Sequence, residues 1–283
     1  FHSLRTFLDP QEARMARPVF FVSDAHLGSS EGPDADRLRE ERLFDFLRRA
    51  GDLQAEAVYI LGDLFDFWFE YRHVMPVRYF GVLREIRHLT DRGVPVHFVG
   101  GNHDWWVGRT FREAAGMSIL RDPVRVEHQG FRLYLSHGDG IAPHGDAGYA
   151  FLKRVLRNRV VIGLLRCVHP DLAYSLGAHL SRVSRTHFTG REFRIDAPLA
   201  EFVDGALASG HDAFLMGHLH VRHTETRPGG RLFVLGDWMS LFSALRLEDG
   251  EFTWEDWRSG APRADADPWS TRTGGHTDAD PAG

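Results

Sequence analysis

Five short, almost uniformly apolar runs in this chain each stop at residues that bind metal ions well, and this repetition is the tightest limit on how the chain can fold. Val19-Phe20-Phe21-Val22 stops at Ser23-Asp24-Ala25-His26, and Val58-Tyr59-Ile60-Leu61 stops at Gly62-Asp63-Leu64-Phe65-Asp66. Val96-His97-Phe98-Val99 stops at Gly100-Gly101-Asn102-His103-Asp104, Leu133-Tyr134-Leu135 at Ser136-His137-Gly138-Asp139, and Ala213-Phe214-Leu215-Met216 at Gly217-His218-Leu219-His220. Apolar runs this short, with little polar alternation, read as strands buried on both faces. Their ends would deliver carboxylates, imidazoles and an amide to the carboxyl edge of a sheet.

The segments between the runs supply the helices. Gly32-Pro33-Asp34 marks a turn, and Leu38, Leu43, Phe44 and Leu47 then form an approximate helical stripe that ends near Gly51. The next strand follows at once, so a right-handed strand–helix–strand crossover is expected. A second helix is predicted from Pro76 to Thr90, with Phe80, Leu83, Ile86 and Leu89 inward, and a short one from Thr110 to Ala115. Arg125-Val126-Glu127 leads to a hairpin around Gln129-Gly130. Another core-facing helix is expected from Pro198 to Ala208, with Leu199, Phe202, Val203 and Leu207, before strands at 231–235, 243–247 and 251–254.

The alternation breaks at 141–190. From Tyr149 to Arg166, apolar residues such as Val155, Ile162 and Leu164 are mixed with Arg154, Arg157, Arg159 and Arg166, and Leu172 to Val183 forms a second amphipathic piece with Tyr174, Leu176 and Leu180. Two readings fit this pattern. One is a cap offering apolar surface to an acyl chain and arginines to phosphate; the other is ordinary packing of helices onto the core.

Asp24 and His26 are two residues apart, which puts both side chains on one side if the segment stays extended, and His218 and His220 repeat the spacing. Carboxylate with imidazole favours transition metals over magnesium. A carboxylate between two cations reduces their repulsion, and Asp63 is the best placed for that bridge. Two such cations can hold a phosphate ester, activate a water and stabilise charge during in-line attack. Each piece has an ordinary explanation: Asp-x-His as a solvated loop pair, Gly62-Asp63 as a turn, His137 as a satisfied core histidine, Asn102 as a helix cap. None of these explains why every candidate follows an apolar run.

The chain's 283 residues allow one catalytic domain, expected at 18–256, with an arm at 1–17 and a Gly-, Pro-, Asp-, Thr- and Ala-rich disordered tail at 257–283. It begins at Phe1, which reads as a start inside a longer product. The formal charge of −5 shows no overall nucleic-acid footprint, and no basic strip interleaved with aromatics favours a nuclease. Cys167 is the sole cysteine, so no intramolecular disulfide can form; a reducing, cytoplasmic setting is expected, with Cys167 as a small buried apolar residue. No run of 18 or more apolar residues is present to span a bilayer. The arginine-rich insertion instead points to peripheral contact with the anionic cytoplasmic face of the inner membrane. No obligate protein partner and no nucleic-acid partner are inferred.

On Asp24-Ala25-His26, Gly62-Asp63-Leu64-Phe65-Asp66, Gly101-Asn102-His103-Asp104, Ser136-His137-Gly138-Asp139 and Gly217-His218-Leu219-His220, the chain resembles the calcineurin-like metallophosphoesterase superfamily over residues 19–255. That resemblance implies an α/β (α+β) fold, a two-sheet β-sandwich flanked by helices rather than a plain doubly wound sheet, with a helical cap inserted at 141–190. It further implies two divalent ions, Mn2+ first and Zn2+ or Fe2+ as alternatives. One would be held by Asp24, His26, Asp63 and His220, the other by Asp63, Asn102, His137 and His218. His103 would contact the phosphate and support departure of the leaving group, with Asp104 orienting it.

Within the superfamily the chain is similar to the UDP-2,3-diacylglucosamine pyrophosphatases of lipid A biosynthesis. The likeness lies in Gly62 to Trp68, in His137-Gly138-Asp139 followed by Asp146-Ala147-Gly148-Tyr149, and in Leu235-Gly236-Asp237-Trp238. It implies attack of water at the α-phosphorus of a nucleotide-linked glycolipid, releasing UMP and 2,3-diacylglucosamine 1-phosphate. The insertion would be the lipid-binding cap, and Asn102, His103, Tyr149, Arg154 and Arg157 substrate contacts. Phe67, Trp68 and Phe69 read either as aromatics facing that cap or as core filling. The better-known members carry arginine after the motif asparagine, where this chain has the wider superfamily's histidine, His103, and Gly145 stands where an acidic residue precedes Asp146. Another calcineurin-like phosphomonoesterase or phosphodiesterase, with a different lipid or nucleotide substrate, is therefore the alternative.

Overall fold

A computed structural model describes residues 16–29, 32–141, 154–186 and 195–265. Its first part runs β1 (Val19–Val22), α1 (Pro33–Asp52), β2 (Ala57–Leu61), α2 (Phe80–Asp91), β3 (Val96–Val99), α3 (Arg109–Ala115), β4 (Ser118–Leu120), β5 (Val124–His128) and β6 (Phe131–Ser136). Two cap helices follow, α4 (Arg159–Leu165) and α5 (Pro170–Thr186), then α6 (Ala197–Ala208) and β7 (Ala213–Met216). The chain closes with β8 (Arg222–Arg227), β9 (Gly230–Leu235), β10 (Ser243–Glu248), β11 (Glu251–Asp256) and β12 (Arg263–Asp265).

The strands form two sheets, a seven-stranded one in the order β12-β11-β10-β1-β2-β3-β4 and a five-stranded one in the order β5-β6-β7-β9-β8. β1, β2, β3 and β4 are mutually parallel, as are β6, β7 and β9, so the metal-rich loops leave corresponding ends of their strands. Alternation along each strand serves two cores. Val19 and Phe21 join Tyr59, Leu61, Leu135, Leu215 and Phe233 between the sheets. Phe20 and Val22 join Ile60 and Phe98 under α1, α2 and α3. Phe214, Met216 and Val234 point the other way, onto Leu199, Val203 and Leu207 of α6. Burial on both faces is why these runs lack polar alternation, and a sandwich rather than a single wound sheet is the result.

Local sequence accounts for the helix starts. α1 begins with Pro33 in its first turn and Asp34 and Asp36 beside its N-terminus. α6 is capped by Asp196, whose carboxylate accepts the Leu199 N–H at 3.0 Å, and α4 by Asn158, which accepts the Val160 N–H at 2.8 Å.

Several expectations need correction. The inward stripe of α1 is Leu43, Phe46, Leu47 and Ala50, whereas Leu38 is 40% exposed; in α2 the inward residues are Val82, Leu83, Ile86 and Leu89, and Phe80 is 54% exposed. Leu38 lies more than a turn ahead of Leu43, and Phe80 is the first residue of α2. Three strands were not expected: β4, β8 and β12. β8, Arg-His-Thr-Glu-Thr-Arg, pairs among the described residues only with β9, at the sheet's edge, where one polar face meets solvent. β12 pairs with β11 and lies inside the segment expected to be a disordered tail from 257. Trp257 is buried against Phe46 and Trp238, so the domain runs past its expected end at 256.

Cys167 is exposed rather than buried, because it sits in the turn after α4, where its thiol reaches back to the Gly163 carbonyl. The two readings of the insertion divide between its helices. No residue of α4 is buried, with Val160 70% and Leu164 66% exposed, whereas α5 packs one face onto the core and leaves Leu172 and Leu176 outside. No helix among the described residues is long and apolar enough to cross a membrane.

Candidate metal centre

The loops after β1 and β2 continue the pairing of their strands. The Asp24 N–H donates to the Gly62 carbonyl at 3.1 Å, His26 to Asp63 at 2.9 Å and Leu27 to Leu64 at 3.0 Å. The backbone is nonetheless not extended there. Asp24, His26, Asp63, His218 and His220 all have left-handed φ, at 55°, 43°, 52°, 70° and 53°. The expectation that Asp24 and His26 share a side because the segment is extended therefore fails; they converge because tight left-handed turns fold the chain back. Such conformations cost a non-glycine residue on the order of 1 kcal/mol or more and persist where the surroundings fix them. Here Asp24 Oδ2 accepts the His218 N–H at 2.8 Å and Asp63 Oδ1 accepts the His103 N–H at 2.9 Å. Gly217 and Gly101 make these approaches feasible, since a Cβ at either would run into the Asp24 or Asp63 side chain.

The side chains form three groups whose ligand atoms lie within 4.8 Å of one another: Asp24, His26 and His220; His26, Asp63 and His103; Asp63, His137 and His218. His26 Nε2 is 3.1 Å from His220 Nε2 and 3.7 Å from both Asp24 Oδ1 and Asp63 Oδ2, and His220 Nε2 is 3.3 Å from Asp24 Oδ1. On the other side, His137 Nε2 lies 3.4 Å from Asp63 Oδ2 and 3.1 Å from Asn102 Oδ1. Asp63 Oδ2 thus faces both halves, the position a bridging carboxylate requires. His137 Nδ1 is 2.8 Å from the Leu61 carbonyl and His103 Nδ1 is 2.9 Å from the Asp66 carbonyl, contacts in which only the ring N–H can donate. When the ring is neutral, Nε2 is therefore the nitrogen that keeps the lone pair.

Two divalent ions fit these residues. Asp24 Oδ1 is buried with no hydrogen bond among the described residues, although it lies beside two imidazole nitrogens, and packing of hard oxygen with imidazole donors suits first-row transition metals. The electrostatics agree. Burial opposes charge throughout, yet the contacts of Asp24 with His220 and His26 hold its carboxyl well below the usual range. For His26, burial is overcome by Asp24, Asp66 and Asp63, which push it up to about 10. His137 is raised well above an ordinary histidine by Asp63, against its burial. His218 is pushed down to about 4 by burial and by neighbouring His137. Protons hold the site together where ions can replace them.

Of the residues read from sequence, Asp24, His26, Asp63, Asn102, His103, His137, His218 and His220 are brought together. Asp104 is also here, but not in the expected role. Its Oδ1 accepts the N–H groups of Gly101 at 2.9 Å and Asp63 at 3.2 Å, and its Oδ2 that of Phe65 at 3.3 Å. It fixes the Asp63 loop against the Asn102 loop, while the Asp66 carbonyl, not Asp104, orients His103. Burial, then the nearby Asp63 charge, push Asp104 up to about 7.

The substrate-contact expectations divide. Arg154 is exposed on the cap, and Tyr149 lies outside the described residues. Arg157 pairs with Asp139 at 3.0 Å and lies over the Trp105 ring at 3.6 Å, so it ties the cap to two of the metal loops. Trp68 and Phe69 are core filling, at 1% and 2% exposure, whereas Phe67 faces the cap and packs edge-on against Tyr174. Sequence reasoning assigned no role to Asp66, although it quoted the residue within a motif, or to Ser181, for which no local signal exists. Ser181 Oγ donates to Asp66 Oδ1 at 2.6 Å.

Comparison with known proteins gives a consistent result. A family model described as calcineurin-like phosphoesterase matches residues 17–222. A UDP-2,3-diacylglucosamine hydrolase of Neisseria gonorrhoeae is 35% identical over 236 residues, covering 83% of this chain and 95% of the relative. Proteins of the same name from Porphyromonas gingivalis and Pseudomonas putida are 32% and 31% identical, each over 83% of this chain and 95% and 96% of their own lengths.

Proposed function

This chain belongs to the calcineurin-like phosphoesterase family, and from that premise we propose that it hydrolyses the pyrophosphate bond of UDP-2,3-diacylglucosamine, releasing UMP and 2,3-diacylglucosamine 1-phosphate. The observation that carries this reading is Asp63 Oδ2 facing His26 on one side and His137 on the other, in a chain collinear with relatives of that activity. Asp24, His26, Asp63 and His220 would hold one divalent ion, and Asp63, Asn102, His137 and His218 the other. Bound there, the ions supply Lewis acidity toward the phosphoryl oxygens and an activated water. Manganese is the ion we assign, as the family resemblance implies, ahead of zinc or iron; the mixed oxygen and nitrogen donors accept any of the three.

The protein's own residues position the reactants. Asn102 and His103 contact the phosphoryl group. Burial keeps His103 below the ordinary histidine value, against the pull of Asp63. A neutral His103 suits a leaving group that is itself a phosphate and needs little protonation. Arg154 is free to meet the glycolipid's phosphate, while Arg157 holds the cap in place beside it. The exposed Val160, Leu164, Leu172 and Leu176 of the cap are flanked by exposed Arg154, Arg159 and Arg166. This face would rest on the anionic cytoplasmic leaflet, where an amphiphilic substrate resides.

The test compares UMP release from UDP-2,3-diacylglucosamine with hydrolysis of bis(p-nitrophenyl) phosphate by the manganese-loaded protein. Fast UMP release that falls at least about a hundredfold in Asp63→Asn and in His137→Ala is expected. Rapid cleavage of the generic diester with the nucleotide lipid untouched would overturn the substrate and leave the phosphoesterase chemistry in place.

A further inference from the structure

The cap helix α5 meets the core along a single face. Tyr174, Gly177 and Ser181 stand at spacings of three and four residues, so they lie one above another on the helix surface. All three touch the loop that follows Asp63. The Tyr174 hydroxyl donates to the Phe69 carbonyl at 3.0 Å and lies 3.3 Å from the Phe69 N–H. Gly177 lies so close to Phe67 that a Cβ there would come 2.5 Å from its ring. Ser181, 5% exposed, donates to Asp66 Oδ1 at 2.6 Å.

Asp66 is 2% exposed and reaches two of the site's histidines at once. Its carbonyl is 2.9 Å from His103 Nδ1, and its carboxylate Oδ1 is 3.6 Å from His26 Nδ1. His26 Nε2 faces Asp24, Asp63 and His220, so the nitrogen offered to a metal is Nε2 and the ring proton belongs on Nδ1. His26 Nδ1 is buried and makes no hydrogen bond among the described residues, and the carboxylate beside it is Asp66. Carboxylates behind ligating histidines fix the tautomer and raise the basicity of the ring.

We propose that Ser181, on the cap, is a positioning residue for the metal centre: it anchors Asp66 Oδ1, and Asp66 in turn orients His26 for the ion it shares with Asp24, Asp63 and His220. Cap seating and metal affinity are therefore linked through one hydrogen bond. The inference rests on the dinuclear-metal reading above but not on the identity of the substrate.

The experiment measures manganese binding directly by titration calorimetry, with the electron paramagnetic resonance spectrum of the loaded protein as a second readout, on the full chain and its Ser181→Ala, Ser181→Thr and Asp66→Asn variants. Asp66→Asn is expected to weaken one of the two ions by about 10- to 100-fold, the range seen when such supporting partners are removed. Ser181→Ala is expected to weaken the same ion by roughly three- to tenfold and alter the spectrum, with the other ion unchanged and Ser181→Thr restoring both readouts. Thermal melting of each variant separates folding from binding. Wild-type affinity and spectrum in Ser181→Ala, with Asp66→Asn impaired, would overturn the link while the metal reading stands. A lower melting temperature with unchanged affinity would overturn it too, by making Ser181 purely structural. Failure of the wild-type chain to bind two ions would overturn both.

Discussion

Asp63 and His26 show how far single residues carry the site. Asp63 is buried at 1% exposure, one of its oxygens is spent on the His103 N–H, and the other faces both halves of the centre. An amide in its place would present either a neutral oxygen or an N–H to the ions, which is why Asp63→Asn is the sharpest test of the chemistry. The protonation of His26 carries a separate prediction. With its value pushed up to about 10 by Asp24, Asp66 and Asp63 against burial, the ring is protonated at neutral pH until an ion displaces the proton. Apparent manganese affinity should therefore rise with pH between about 6 and 9, by up to roughly tenfold per unit for each proton displaced. The sign for folding without ions is opposite: a raised histidine contributes stability fully below 6.5 and loses it as the pH climbs through about 10. Calorimetric titration in buffers of differing ionisation enthalpy measures the protons released, and an affinity independent of pH would contradict the assignment. The residue types at this site were legible in sequence because each follows an apolar run. The role of Asp104 was not, since two of its three N–H partners, Asp63 and Phe65, belong to the loop after β2 rather than to its own.

Among the elements, strands with apolar residues on both faces announced themselves and edge strands did not. β8 has nothing apolar in Arg-His-Thr-Glu-Thr-Arg, so only its pairing with β9 makes it a strand. The cap helix was legible as amphipathic, but the outward placement of Leu172 and Leu176 was not, because periodicity gives a stripe without saying what covers it. Its grip on the core depends instead on a small residue. Gly177→Ala should destabilise the protein by about 1–3 kcal/mol through overpacking against Phe67, and adding Phe67→Ala should recover much of that loss. Urea denaturation of the two single variants and the double variant measures the coupling, and additive effects would show that the two residues do not meet.

At the scale of the molecule, the sandwich places parallel strands from both sheets so that their loops meet at one end, and the cap brings its apolar surface beside them. Four large apolar side chains on the cap, Val160, Leu164, Leu172 and Leu176, are more than half exposed, and the membrane contact proposed above would use them. Replacing Val160, Leu164, Leu172 and Leu176 together with serine should abolish sedimentation with vesicles containing anionic lipid, and neutralising Arg154, Arg159 and Arg166 should weaken it most at low salt. Vesicle binding that survives both sets of changes would remove the membrane from the account. Arg157 is left out of that set because it is engaged with Asp139 and Trp105.

The sequence by itself determined which strands are buried and which ligand types end them, because two-sided burial selects continuous apolar runs and metal chemistry selects aspartate, histidine and asparagine whatever the surrounding fold. Tertiary structure alone decided that left-handed turns rather than an extended segment bring Asp24 beside His26, that Asp104 braces loops instead of a histidine, and that Ser181 reaches Asp66 across 115 residues of chain. Each depends on contacts between segments distant in sequence: the His218 N–H on Asp24, the Asp63 and Phe65 N–H groups on Asp104, and Ser181 on Asp66. No local pattern encodes them, since the partner of each group is fixed only when the two sheets and the cap have packed.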